Sequence, residues 1–321
     1  AREAASAARA RQEEVAKSKT PPRSPAERTA LIQAMEAAER GYAKASALEP
    51  GNPFLRYEHG SVLYTKGDLD AALAQMEEAC RLAPGSPFFD KALYQACMTG
   101  NRLHRALEIA EAMVGASPDR WDGYTLRGQA RFLLEDFDGA LADFQKAAGY
   151  PLGAKIGQTL DRNIEAARNL KKAWTQELEI RKRDADRGDL PRAEIRTARG
   201  AVVVELLEDA APEAVAWFVR QAEAKAFDGQ PYLGLRDAGV RPDGPETKRR
   251  HWRGSLSLAS PTQEGAGIQF FLSLKPMPEY DGQCSVFGRV LEGLDVAEAL
   301  KPGERVQAVR ITRKRDHPYA P

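Results

Sequence analysis

Few residues in this chain combine a reactive type with a spacing that would let them cooperate. His104 and His251 stand isolated, and a lone histidine is a weak candidate for a general base. The three cysteines, Cys80, Cys97 and Cys284, are odd in number and form no CxxC pair, which argues against a metal box or a disulfide framework. They read as buried small side chains and free thiols. The run Lys248-Arg249-Arg250-His251-Trp252-Arg253 is basic with one aromatic. It reads as a solvated loop leading into a strand rather than a nucleic-acid surface. Across the whole chain 47 basic residues face 46 acidic ones, so no net field draws in nucleic acid or an anionic membrane. The sequence contains no phosphate-cradling glycine loop, no metal box and no nucleophile elbow, and it implies no cofactor and no metal.

What remains is a set of aromatic, amide and glycine blocks. They are Phe227-Asp228-Gly229, Gly254 to Ala259, Gly267-Ile268-Gln269-Phe270-Phe271-Leu272, Tyr280-Asp281-Gly282, and Val286 to Val296 with Val286-Phe287-Gly288-Arg289-Val290 at its head. In that order, over about 125 residues, they resemble a cyclophilin-type peptidylprolyl isomerase. The resemblance implies an eight-stranded closed β-barrel capped by two helices. It also implies a chemistry of rotation, not bond cleavage. Amide resonance sets an X–Pro barrier of about 20 kcal/mol. Lowering it takes an apolar pocket for the ring and a donor that stabilises the twisted amide.

Laid residue by residue on the family pattern, the site is depleted. The family's Phe-His-Arg-Val block falls on Tyr232-Leu233-Gly234-Leu235, so Gly234 stands where the catalytic Arg belongs. Glu279 occupies the family's Trp position and Cys284 its pocket His position. By the resemblance Gln269 survives as a supporting amide, Phe271 as the floor of the proline pocket, and Ala259 with Ser260 and Gly234 as further substrate-binding positions. Arg236 is the candidate substitute donor. Strand residues two apart share a face about 6–7 Å apart, which would bring its guanidinium to the side where Gly234 has no side chain.

The elements that must carry these residues follow from periodicity. Ile195 and Thr197, a turn at Arg199-Gly200, and alternation through Ala201–Leu207 predict a hairpin. Pro212 opens a helix bearing Val215, Phe218 and Val219 at core spacing. Upstream the pattern is helical and periodic. Pro50, Pro84 and Pro118 lie 34 residues apart and Pro151 follows at 33; Ala38, Ala72, Ala106 and Ala140 keep the 34-residue step, and Gly60 and Gly128 stand two steps apart. This resembles the tetratricopeptide repeat, with alanine at tight helix crossings and proline ending each second helix. Full repeats are expected at 53–86, 87–120 and 121–154. A long helix over 154–187 should then cap the array through Ile156, Leu160, Ile164, Ala167, Leu170, Trp174 and Leu178, its charged face solvated.

The groove of such an array would be lined by Tyr57, Ser61, Tyr64, Lys91, Gln95, Thr125, Gln129 and Phe132. The chaperone carboxylate clamp of that family is absent, since its positions hold Tyr57, Ser61, Ala92, Asp122 and Leu126. The sequence therefore predicts a charged tail and linker over 1–28, a tetratricopeptide-like solenoid over 29–188 and a cyclophilin-like barrel over 189–321. The expected function is a protein- or peptide-binding scaffold, chaperone-like, with a degenerate cyclophilin domain. The alternative is an active or weakly active peptidylprolyl isomerase assisting folding. Expected partners are proteins or proline-containing peptides, with no nucleic acid and no membrane insertion. The chain opens on Ala1 without an apolar signal core, which fits either a cytoplasmic protein or one exported with its leader removed.

Overall fold

The computed structural model describes residues 2–17, 25–231, 249–259, 269–301 and 303–319. The chain divides into two compact units. One comprises Ala1–Arg131 with Gly139–Ile164, the other Phe132–Asp138 with Glu165–Pro321.

The first unit is helical. It is built from α1 (Arg2–Lys17), α2 (Pro25–Leu48), α3 (Pro53–Lys66), α4 (Leu69–Leu82), α5 (Pro87–Thr99), α6 (Leu103–Ala116) and parts of α7 (Trp121–Leu133), α8 (Phe137–Ala148) and α9 (Ala154–Arg187). The 34-residue step of the sequence is also the step of the helices. First helices begin at Pro53, Pro87 and Trp121, and second helices at Leu69, Leu103 and Phe137. Ala38, Ala72, Ala106 and Ala140 are all buried, as close backbone approach requires. α2, α4, α6 and α8 end at Leu48, Leu82, Ala116 and Ala148, just short of Pro50, Pro84, Pro118 and Pro151. Asn52 caps α3 by accepting the Phe54 and Leu55 amides, and Asp68 caps α4 by accepting that of Ala71.

The expectation of a tail over 1–28 is corrected. α1 packs on α2, with Ala8 buried in an apolar cluster beside Ala38, Tyr42 and Ala45. An alanine-rich helix face needs a partner helix to escape water, and α2 supplies it.

The second unit holds β1 (Arg192–Thr197), β2 (Gly200–Leu206), α10 (Pro212–Glu223), β3 (Ser255–Ala259), β4 (Gln269–Leu272), β5 (Val286–Glu292), α11 (Leu294–Ala299) and β6 (Val306–Arg313). The strands form one antiparallel sheet in the order β4-β3-β5-β2-β1-β6. The expected hairpin is β1–β2. Its turn is closed by the Thr197 hydroxyl, which donates to Gly200 O at 2.9 Å and accepts the Arg199 amide at 3.2 Å. Inward residues of the sheet, Ile195, Val202, Val204, Leu206, Leu256 and Phe287, meet Val215, Phe218 and Val219 of α10 in one core. The two expected helices are present as α10 and α11. The closed eight-stranded barrel is not what the described residues form. They make a six-stranded curled sheet with β4 and β6 at its edges.

The expected boundary near Asp189 also shifts. Residues 165–187 of α9 belong with the sheet, as do Phe132–Asp138. Of the stripe expected to cap the array, Leu170 and Trp174 pack instead with Phe137 and Trp252, and Leu178 is 48% exposed. The face of α9 expected to be solvated buries Glu177 and Asp184. The physical reason is charge pairing. Arg249 donates to Glu177 at 3.2 Å and to Asp184 at 2.7 Å; Arg289 of β5 reaches Asp184 at 3.3 Å and Glu205 of β2 at 2.5 Å. Buried charges persist only when paired and hydrogen-bonded.

Candidate functional site

Three residues singled out in the sequence, Ala259, Gln269 and Phe271, lie on the paired strands β3 and β4. The register pairs Leu256 with Leu272, Ser257 with Phe271, Leu258 with Phe270 and Ala259 with Gln269. Strand alternation sends Leu256, Leu258, Phe270 and Leu272 into the core. It turns Ser257 and Phe271 to the opposite face. Phe271 is only 2% exposed, in a small cluster with Cys284 and Tyr280. The His251 ring lies parallel to it, 8° apart in plane with centroids at 6.1 Å, and Tyr280 approaches at 6.3 Å.

His251 is not isolated, and this corrects the sequence reading. Asp281 Oδ1 accepts its backbone amide at 2.8 Å and lies 3.1 Å from Nδ1. Its carbonyl accepts the Met277 amide at 2.9 Å. Among the described residues, its buried Nε2 has no hydrogen-bond partner. The missed signal was Asp281. It sits in the Tyr280-Asp281-Gly282 block, thirty positions after its partner and with no local pattern linking the two.

The described part of the basic run, residues 249–253, is mostly buried or half-buried, with Arg250 exposed. Arg249 is 11% exposed between its two carboxylates, and His251 and Trp252 are buried. Trp252 packs on Trp174 at 4.8 Å and on Phe137 at 6.0 Å. The Arg253 guanidinium is held by Glu298 of α11 at 2.6 Å, and its backbone amide donates to Glu135 Oε1 at 2.6 Å.

Of the candidate residues, the structure brings Phe271, Gln269 and Ala259 onto one strand pair. Gly234, Arg236 and Ser260 lie outside the described residues. Glu279 is exposed in the short 3-10 turn Pro278–Tyr280. Burial pushes the Cys284 thiol up to about 11, which leaves it mostly un-ionised and a poor nucleophile at neutral pH. Among the described residues no cluster of three His, Cys, Asp or Glu side chains could hold a metal ion, and no helix is long and apolar enough to cross a membrane.

The groove candidates separate. Tyr57, Ser61, Tyr64, Lys91, Gln95, Thr125 and Gln129 belong to the helical unit, whereas Phe132 belongs to the sheet unit and packs on Phe137 at 5.5 Å. Tyr57 stacks edge-on against Phe88 at 4.9 Å, and Phe88 and Phe54 remain 51% and 58% exposed. The Ser61 and Thr125 hydroxyls turn back to the carbonyls of Tyr57 and Trp121. Lys91 is bound to buried Asp122 at 2.6 Å. The hydrogen bond from Arg120, with help from Lys91, holds the Asp122 carboxyl far below the usual carboxylate range. Lys91 is thus paired within the chain while its side chain stays 43% exposed.

Residues 236–316 match the family described as cyclophilin type peptidyl-prolyl cis-trans isomerase/CLD. A peptidyl-prolyl cis-trans isomerase of Helicobacter pylori is 31% identical over 137 residues, spanning 36% of this chain and 84% of that protein. Peptidyl-prolyl cis-trans isomerase B of Bacillus subtilis is 30% identical over 125 residues, spanning 33% of this chain and 87% of its own length. A crystal structure of a cyclophilin from Hirschia baltica covers 37% of this chain and 73% of its own at 17% identity, with a TM-score of 0.32.

Proposed function

Because this chain belongs to the cyclophilin-type peptidyl-prolyl cis-trans isomerase family, we propose that it is a protein- or peptide-binding scaffold whose cyclophilin unit engages proline-containing segments with weak or absent isomerase activity. The observation that carries this reading is the state of Phe271. The ring that would floor the proline pocket is 2% exposed, packed against His251, Tyr280 and Cys284. Gly234 at the position of the catalytic Arg and Glu279 at that of the Trp point the same way. The 34-residue helical step supports a tetratricopeptide-like array as the second binding surface, lined by Tyr57, Ser61, Tyr64, Gln95, Thr125 and Gln129. Removing one preorganised donor commonly costs a factor of about 10²–10³ in rate. A protease-coupled assay on a short Ala-Pro peptide is therefore expected to fall at least that far below an intact cyclophilin. A rate near that of the intact enzyme would defeat the proposal.

The names of the Helicobacter and Bacillus relatives favour a second reading, an active isomerase assisting folding. In that reading Arg236 replaces the missing donor. Arg236→Ala would then abolish the measured activity and leave the fold intact. Activity that survives the change places the donor elsewhere.

A further inference from the structure

Phe271 has a small neighbour on its own sheet. The register sets Ser257 directly across from it, and among the described residues the buried Ser257 hydroxyl has no hydrogen-bond partner. The residue opposite gives a ring on a sheet face its nearest support, and serine offers little area for it. The rings that meet Phe271 come from outside the strand pair. His251 lies on the segment before β3, and Tyr280 on the turn after β4.

One residue ties these neighbours together. The His251 carbonyl accepts the Met277 amide at 2.9 Å, and its own amide donates to Asp281 Oδ1 at 2.8 Å. The stretch 277–281 between those two bonds carries Tyr280. The Tyr280 amide returns to Met277 O at 3.0 Å, and its carbonyl accepts the Cys284 amide at 3.2 Å. Tyr280 and Cys284, the residues clustered with Phe271, are thus tethered through the His251 backbone. The imidazole is held separately. Asp281 Oδ1 lies 3.1 Å from Nδ1, while Oδ2 faces Arg250 Nη1 at 3.5 Å. A carboxylate accepts and does not donate, so Nδ1 carries the proton of that contact, and in the neutral ring Nε2 is the acceptor. The side chain is 0% exposed, and its plane lies within 8° of Phe271 with centroids 6.1 Å apart. That is the offset-parallel arrangement that ring pairs favour.

We infer that His251 is the positioning residue of the Phe271 site: Asp281 holds its imidazole as the Nδ1–H tautomer, and the held ring sets the orientation of Phe271 that a proline-containing segment meets. The backbone bonds to Met277 and Asp281 do not depend on the side chain at 251, so the part played by the ring can be removed alone.

The inference rests on the reading of Phe271 as a binding site, and its test separates the two. The intact chain is followed by nitrogen NMR of the imidazole, by the Overhauser contact between the Phe271 and Tyr280 rings, and by affinity for an Ala-Pro peptide. The neutral His251 ring is expected to carry its proton on Nδ1. His251→Asn keeps a donor for Asp281 and loses the ring; His251→Phe keeps a ring and loses the donor. Affinity is expected to fall on the order of tenfold in His251→Asn, with loss of the Overhauser contact, and to stay within about threefold of wild type in His251→Phe. Asp281→Ala leaves the imidazole in place but unheld. Its proton is expected to move to Nε2 and affinity to fall as in His251→Asn, which decides the matter even where His251→Phe does not fold. A wild-type proton on Nε2 overturns the inference. So does His251→Asn or Asp281→Ala that keeps both the contact and the affinity, or a folded His251→Phe that loses as much as His251→Asn. If the tautomer and the loss of contact are as expected but no chain binds the peptide, the binding reading fails and the positioning role stands.

Discussion

The thiols show how burial sets residue chemistry here. Cys80, Cys97 and Cys284 are all free. Burial is the leading cause that pushes them up to about 12, about 11 and about 11 respectively. At Cys80 the neighbouring Asp90 carboxylate adds to the rise. A thiol titrating near 11 is ionised about two orders of magnitude less at pH 8 than an ordinary one. Alkylation of the native chain at that pH should be correspondingly slow, and denaturation should release three reactive thiols per chain. Rapid native labelling of one thiol would show that its site opens to solvent. At this scale the sequence names Phe271 and Gln269 through a family block, and both lie on β4. The sequence leaves His251 isolated, because its partner Asp281 is thirty residues away and is met only through the fold.

Helices were legible because their 3.6-residue pattern and 34-residue step are written in small and apolar residues. What the pattern does not carry is which polar residue meets which distant strand. A Glu at 177 and an Asp at 184 look like solvated helix face until Arg249 and Arg289 are brought to them. Glycine at the helix crossings gives a sharper test of the repeat geometry. A Cβ on Gly128 would meet the Phe144 ring at 2.7 and 2.8 Å, and Phe144 is fully buried. A Cβ on Gly60 would meet Met76 Cγ at 2.9 Å and Ala72 O at 3.0 Å. Methionine yields more readily than a packed ring. Alanine also favours helix over glycine by about 1 kcal/mol, which offsets part of either clash. Gly128→Ala is therefore expected to destabilise by about 1–3 kcal/mol and Gly60→Ala by clearly less, measured as shifts in the urea midpoint. The reverse order would mean that the ring at 144 has room to move.

At the scale of the whole chain, the point at issue is where the cyclophilin unit begins. Sequence resemblance starts the unit after the long helix, because family blocks, hairpin and proline all lie beyond Gly188. The structure assigns Glu165–Arg187 to the same compact unit as the sheet, together with Phe132–Asp138. The reason is again the buried ion network. A fragment beginning at Asp189 keeps Arg249 and Arg289 but loses Glu177 and Asp184. It also loses Trp174, leaving one side of Trp252 bare. Breaking a buried pair by removing one partner costs about 3–5 kcal/mol, a large share of the 5–15 kcal/mol that typically holds a domain. A fragment beginning at Glu165 keeps the network but lacks Phe137 and Glu135, so it should fold with reduced stability. The expected order in urea unfolding is full chain, then 165–321, then 189–321, with the last mostly unfolded by circular dichroism. Within the full chain, Asp184→Ala should reproduce part of the loss, since Arg289 keeps Glu205 and Arg249 keeps Glu177. A 189–321 fragment that melts cooperatively at the same denaturant concentration as 165–321 would show that the sheet solvates its arginines without help from α9. The unit would then begin where the sequence resemblance put it.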